Sequence, residues 1–123
     1  MRTDNPKTAT LDQLLSRYAA LGIEQDDALL RENIPDANKL LDRLAEIEDE
    51  LKSRTGDQRR ILLRLYDHPN MNVRLKAAKA TLAVTPQSAR AALQAIRDSK
   101  WQPQALDAGM CLRAIEYGIF KPT

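Results

Sequence analysis

The chain has 123 residues, 43% of them hydrophobic but only 4% aromatic, enough for one continuous core and too few for a core plus a separate catalytic domain. Its formal net charge of +2 hides a polarity: residues 1–50 hold 12 acidic and 6 basic side chains, residues 51–123 hold 5 and 13. A single cysteine, Cys111, excludes an intramolecular disulfide and a thiolate zinc cage.

Ala and Leu dominate the apolar residues, and both favour helix, so an all-α fold is expected. Met1 to Pro6 lacks the apolar core of a signal peptide, and no apolar run is long enough to cross a bilayer. A cytoplasmic protein with no membrane partner is the expectation.

Thr10 and Gln13 form a capping-box signature, and Leu11, Leu14, Leu15, Tyr18, Gly22 and Leu29 follow at helical spacing. A first helix is expected from Thr10 to about Glu32. Gly22 is its weak point, since an interior glycine costs about 1 kcal/mol relative to Ala, and a break between Leu21 and Glu24 is the competing assignment. Pro35 separates it from a second helix capped by Asp36, in which Leu40, Leu44, Ile47 and Leu51 form a narrow stripe backed by Asp42, Glu46, Glu48, Asp49 and Glu50. That stripe suits either the first helix or a second subunit. Residues 10–53 thus read as an acidic helical hairpin, closed by Gly56.

Asp57 opens a third helix through Ile61, Leu62 and Leu65, which Pro69 stops. Asn70 caps a fourth with two apolar sides, Val73, Ala77, Ala80 and Val84 on one and Leu75, Ala78 and Leu82 on the other, so it is expected between two neighbours. Thr85-Pro86 starts a fifth, carrying Ala89, Ala92, Leu93 and Ile96. Pro103 plays the same part for a sixth, whose Ala105, Ala108, Gly109, Leu112 and Ile115 allow close packing before Gly118 ends it.

The segment from Leu62 to Leu82 resembles one HEAT-type helical repeat. It has Asp67 at the end of one helix, Pro69 in the turn, Val73-Arg74 opening the next helix, then Ala77 or Ala78 and Leu82. Each suits a structural role: proline terminates, valine plugs the core beneath the turn, and alanines let helices approach. Asp67 and Arg74 bracket the turn and suit a charge-assisted hydrogen bond within it or a ladder to an adjacent repeat. The C-terminal half, from His68 through Trp101 and Asp107-Ala108-Gly109 to Gly118-Ile119-Phe120-Lys121-Pro122, also resembles a small uncharacterised bacterial family of HEAT/armadillo-like proteins. The resemblance implies a right-handed α-α superhelix of about six helices. Residues 1–123 would form a single all-helical domain in which 57–118 supply the repeat-like pairs. Such an architecture acts by binding.

No residues stand in a recognisable catalytic arrangement. His68 is the only histidine and reads as a turn residue that caps helix-terminal carbonyls; Cys111 lies within a helix as a small hydrophobe. Asp42 with Glu46, and Glu46 with Glu50, share a helical face that reads as solvated, and the four glycines are isolated, so no cofactor, metal site or enzymatic activity is expected. Arg59, Arg60 and Arg64, with Lys76 and Lys79, are the candidates for a nucleic-acid surface. Trp101 is either a binding anchor or a lid on the core, and packing is the favoured reading. The leading expectation is a non-catalytic protein–protein interaction module, the alternative a nucleic-acid-binding module using the basic half.

Overall fold

The computed structural model describes residues 5–123, and every regular element among them is helical. There are five α-helices: α1 (Leu11–Leu30), α2 (Ile34–Ser53), α3 (Met71–Ala80), α4 (Pro86–Ser99) and α5 (Gln104–Glu116). Two 3-10 segments accompany them, Pro6–Thr8 and Gln58–Leu65. The chain divides into two compact units, one ending at Ile61 and the other Leu62–Thr123.

In the first unit the capping box closes as its sequence implies: the Gln13 amide donates to Thr10 Oγ1 at 3.1 Å and the Thr10 amide to Gln13 Oε1 at 2.9 Å. α1 then runs unbroken through the buried Gly22, so the competing break does not occur. Its buried residues Leu14, Tyr18, Leu21, Gln25 and Ala28 recur at alternating steps of four and three, as do Ala37, Leu40, Leu44, Ile47 and Leu51 on α2. These are heptad seams, and the two helices lie against each other. The stripe on α2 therefore faces its own first helix.

The expected cap of α2 moves. Asn33, whose Oδ1 accepts the Asp36 amide at 3.2 Å, caps the helix, and Pro35 lies inside the first turn, where a missing N–H breaks no helical bond. Asn33 also ends α1. Its amide reaches the Ala28 carbonyl at 2.9 Å while the Glu32 amide reaches Leu29 at 3.1 Å, a Schellman arrangement with Glu32 held at φ 57°. At the far end of the hairpin, the Arg54 guanidinium donates to Glu50 Oε2 (2.7 Å) and to the carbonyls of Pro6 (3.0 Å) and Ala9 (2.7 Å).

Gly56 and Asp57, at φ 79° and 52°, turn the chain into Gln58–Leu65. That segment is 3-10 rather than the α-helix expected, and in a 3-10 helix residues three apart eclipse each other. Arg59, Leu62 and Leu65 accordingly share one buried row.

In the second unit Asn70 caps α3, its Oδ1 accepting the Val73 amide at 3.1 Å. Leu75, Ala78 and Leu82 join Ala89, Leu93, Ile96 and Ala108 in one apolar core, bordered by Tyr66, Met71, Ala92, Cys111, Leu112 and Ile115. The opposite side of α3, at Val73 and Ala77, is buried as well. α4 lies against α3 and α5, and α3 also touches α5. A buried polar contact, from Gln104 Nε2 to Asn72 Oδ1 at 3.4 Å, joins the start of α5 to α3. Pro86 opens α4 at its first turn as expected, whereas Pro103 sits one place earlier, as the N-cap of α5. α5 ends in a second Schellman motif: Gly118, at φ 71°, donates to the Ile115 carbonyl at 3.1 Å and Ile119 to Ala114 at 2.9 Å.

Candidate functional site

The basic residues singled out from the sequence do not form one set. Arg59 turns inward and holds Asp57 with a two-pronged ion pair, Nε to Oδ1 at 2.9 Å and Nη2 to Oδ2 at 2.7 Å. The hydrogen bond from this guanidinium is the main reason the Asp57 carboxyl lies below the usual range, and the same contact raises Arg59. Arg60 and Arg64 are exposed but occupy different rows of the 3-10 segment. Lys76 is half-buried, and each of these three has an interaction of its own. Lys79 pairs with Asp107 of α5 at 3.0 Å.

Around the turn, Pro69 is exposed and Val73 fully buried beneath it. The expected Asp67–Arg74 bond does not form. Asp67 is exposed, and Arg74 Nε donates to the His68 carbonyl, which lies nearer along the chain to the capped end of α3. His68 does not cap carbonyls in this turn either; its Nδ1 accepts the Asn70 amide at 3.0 Å. Among the described residues no group of three or more His, Cys, Asp or Glu is placed to hold a metal. Cys111 is half-buried, and desolvation pushes its thiol up, with Lys79 pulling weakly the other way.

Trp101 is not a lid on the core: it is 63% exposed. It stands at the start of α5, where its carbonyl accepts the Ala105 amide at 2.8 Å. Along α5 the outward residues Leu106, Met110, Arg113 and Tyr117 follow at steps of four, three and four, and the three apolar ones are 63%, 62% and 69% exposed. The chain then turns at Gly118, and the Phe120 amide reaches back to the Ala114 carbonyl at 3.1 Å. Pro103, Leu106, Met110, Ala114 and Phe120 line a groove of about 700 Å³ that Lys79, Asp107 and Cys111 complete.

Apolar groups concentrated in this way mark interaction surfaces, unlike apolar residues scattered singly. Of the residues singled out from the sequence, Trp101 and Lys79 lie here; Leu106, Met110, Tyr117, Ile119 and Phe120 are not among them. Their signal is nonetheless in the chain: α5 carries apolar residues on its outward side as well as on the inward set Ala105, Ala108, Leu112 and Ile115, and a helix with apolar residues on two sides expects neighbours on both.

A family model described as a domain of unknown function (DUF2019) matches residues 12–116. The chain belongs to the DUF2019 family. Its fold is also that of a solved structure, the crystal structure of the protein RPA1889 from Rhodopseudomonas palustris CGA009. The two are 54% identical with a TM-score of 0.93, over 95% of this chain and 97% of that one. No curated protein matches. The DUF2019 span takes in Leu106, Met110 and Arg113 of the outward seam and stops before Tyr117 and Phe120. No helix among the described residues is long and apolar enough to cross a membrane.

Proposed function

We propose that this DUF2019 chain is a non-catalytic, HEAT-like helical-repeat module that recognises another protein through the outward face of α5. The single observation that carries the reading is the seam Leu106–Met110–Tyr117, solvent-exposed and recurring at steps of four and seven along one side of a helix whose other side is already committed to the core. Helical repeats act by stacking one helix on the next, and an outermost helix that faces water is normally polar on that side. This one is not.

Two of the five basic candidates, Arg59 and Lys79, already hold carboxylates, which favours protein recognition over nucleic-acid binding. A repeat-like superhelix is favoured by the buried Val73 beneath the Pro69 turn and by the Asn70 cap that starts α3. A lone free cysteine suits the reducing cytoplasm, where we place the protein.

Capture of the tagged full-length chain from native lysate, with and without nuclease, tests the reading when wild type is run beside Met110→Glu and an Arg60→Glu/Arg64→Glu double variant. The expected result is a stoichiometric protein that survives nuclease and is lost with Met110→Glu alone. Recovery of only nuclease-sensitive material, lost with the arginine variant, overturns it in favour of nucleic acid.

A further inference from the structure

We infer that the α5 face seats an amphipathic helix with acidic flanks, supplied by the partner protein; this rests on the protein-binding reading and specifies its partner. Shape is the first argument. Steps of four, three and four from Leu106 to Tyr117 are those at which one helix offers a continuous seam to a second, and the seam runs for about 16 Å, three turns. The groove beside it, floored by Met110, Ala114 and Phe120, leaves room for side chains from a helix laid along α5.

Charge is the second. Arg113 lies within the seam and is exposed, and the exposed Lys100 and Lys121 adjoin Trp101 and Phe120 in the chain, against one exposed carboxylate, Glu116, next to Tyr117. Among the described residues lining the groove, the one carboxylate, Asp107, is held by Lys79. An apolar strip with this excess of cations favours a helix whose flanking positions are Glu or Asp, as flanking charges select partners in coiled coils.

The same charges disfavour a second copy of this chain. Antiparallel pairing of the seam on itself sets position 113 opposite 110, so the two arginines fall within one turn of each other and repel.

The test titrates the full chain with two synthetic three-heptad peptides that share one leucine seam, one flanked by Glu and the other by Lys, following the fluorescence of Trp101, the only tryptophan. The Glu-flanked peptide is expected to bind roughly tenfold or more tightly than the Lys-flanked one, with an advantage that shrinks as salt rises. Met110→Glu is expected to abolish binding and Leu41→Glu, at an exposed site on α2, to leave it unchanged. Leu106→Glu serves in place of Met110→Glu should circular dichroism show that variant misfolded.

Equal affinity for both peptides, preference for the Lys-flanked one, or binding indifferent to both α5 variants overturns the inference. So does Met110-dependent dimerisation in sedimentation, or capture by anionic phosphatidylglycerol vesicles in place of the peptide. A lysate protein captured in a Met110-dependent way that the Glu-flanked peptide fails to displace overturns the acidic-helix inference and leaves the protein-binding reading standing.

Discussion

The hydroxyl of Tyr18 on α1 donates a hydrogen bond of 2.6 Å to Glu48 Oε2 on α2, across the seam of the first hairpin. Tyr18 is completely buried, and burial first, then the neighbouring carboxylate, pushes its phenol well above the usual value. Because the fold favours the neutral phenol, this contribution is complete below the ordinary tyrosine pKa of about 10 and is lost as pH rises above it. Tyr18→Phe is expected to lower stability at pH 7 by about 1.5 kcal/mol and to flatten part of the alkaline decline, read from urea midpoints between pH 7 and 11.

Asp57 behaves with the opposite sign. Arg59 holds its carboxyl below the usual range, so the stability it contributes is present above the unfolded value of about 3.9 and is lost as pH falls through the lowered native one. Asp57→Asn keeps a residue that tolerates φ 52° while removing the charge. It is expected to be less stable than wild type at neutral pH and to lose less on acidification, so that the two stability curves converge below about pH 4.

Glu32 occupies the left-handed position of a Schellman motif, where glycine is the usual residue. Its side chain is exposed, so Glu32→Gly removes backbone strain without removing a core contact. A gain of about 0.5–1 kcal/mol is expected by thermal or urea unfolding, the left-handed penalty exceeding the added entropy of the unfolded glycine. Gly118→Ala, at φ 71°, is the mirror experiment, with a loss of about 1 kcal/mol.

Leu44 and Leu93 are fully buried, one in each unit, whereas Met110 is exposed. Leu44→Ala and Leu93→Ala are each expected to cost about 3–4 kcal/mol, and Met110→Ala less than about 0.5 kcal/mol. A large loss with Met110→Ala would mean that the α5 face is already filled in solution.

Much of the helical order was legible because its signals are local. Thr10 with Gln13 and Asn70 before Met71 satisfy orphan backbone amides, Pro86 at a first turn removes one, and each appears where the sequence places it. The 3-10 segment was not legible: across Ile61, Leu62 and Leu65 a period of 3.0 and one of 3.6 fit equally well, and only the buried row Arg59–Leu62–Leu65 separates them. That ambiguity is also why Arg59 seemed to belong with Arg60 and Arg64. On α1 the seam rotates from the expected Leu15 and Leu29 to Leu21, Gln25 and Ala28, because facing α2 at heptad steps selects position over hydrophobicity. For the α5 face, composition shows that outward apolar residues exist, but only three-dimensional placement shows that the second unit leaves Leu106 and Met110 exposed.

A pair of antiparallel helices comes apart as a zip does, from the end where its two free strands begin. In the first unit one side chain reaches across that open end: Arg54, just past the end of α2, grips carbonyls of Pro6 and Ala9, the former 48 positions away along the chain. The other end is already joined by the covalent bend at Glu32 and Asn33. Arg54 therefore acts as a latch rather than a weld, governing how often the hairpin begins to unzip more than how much free energy it holds. Losing it would show first as faster amide exchange in the opening turns of α1, well before any shift in the melting of the whole chain.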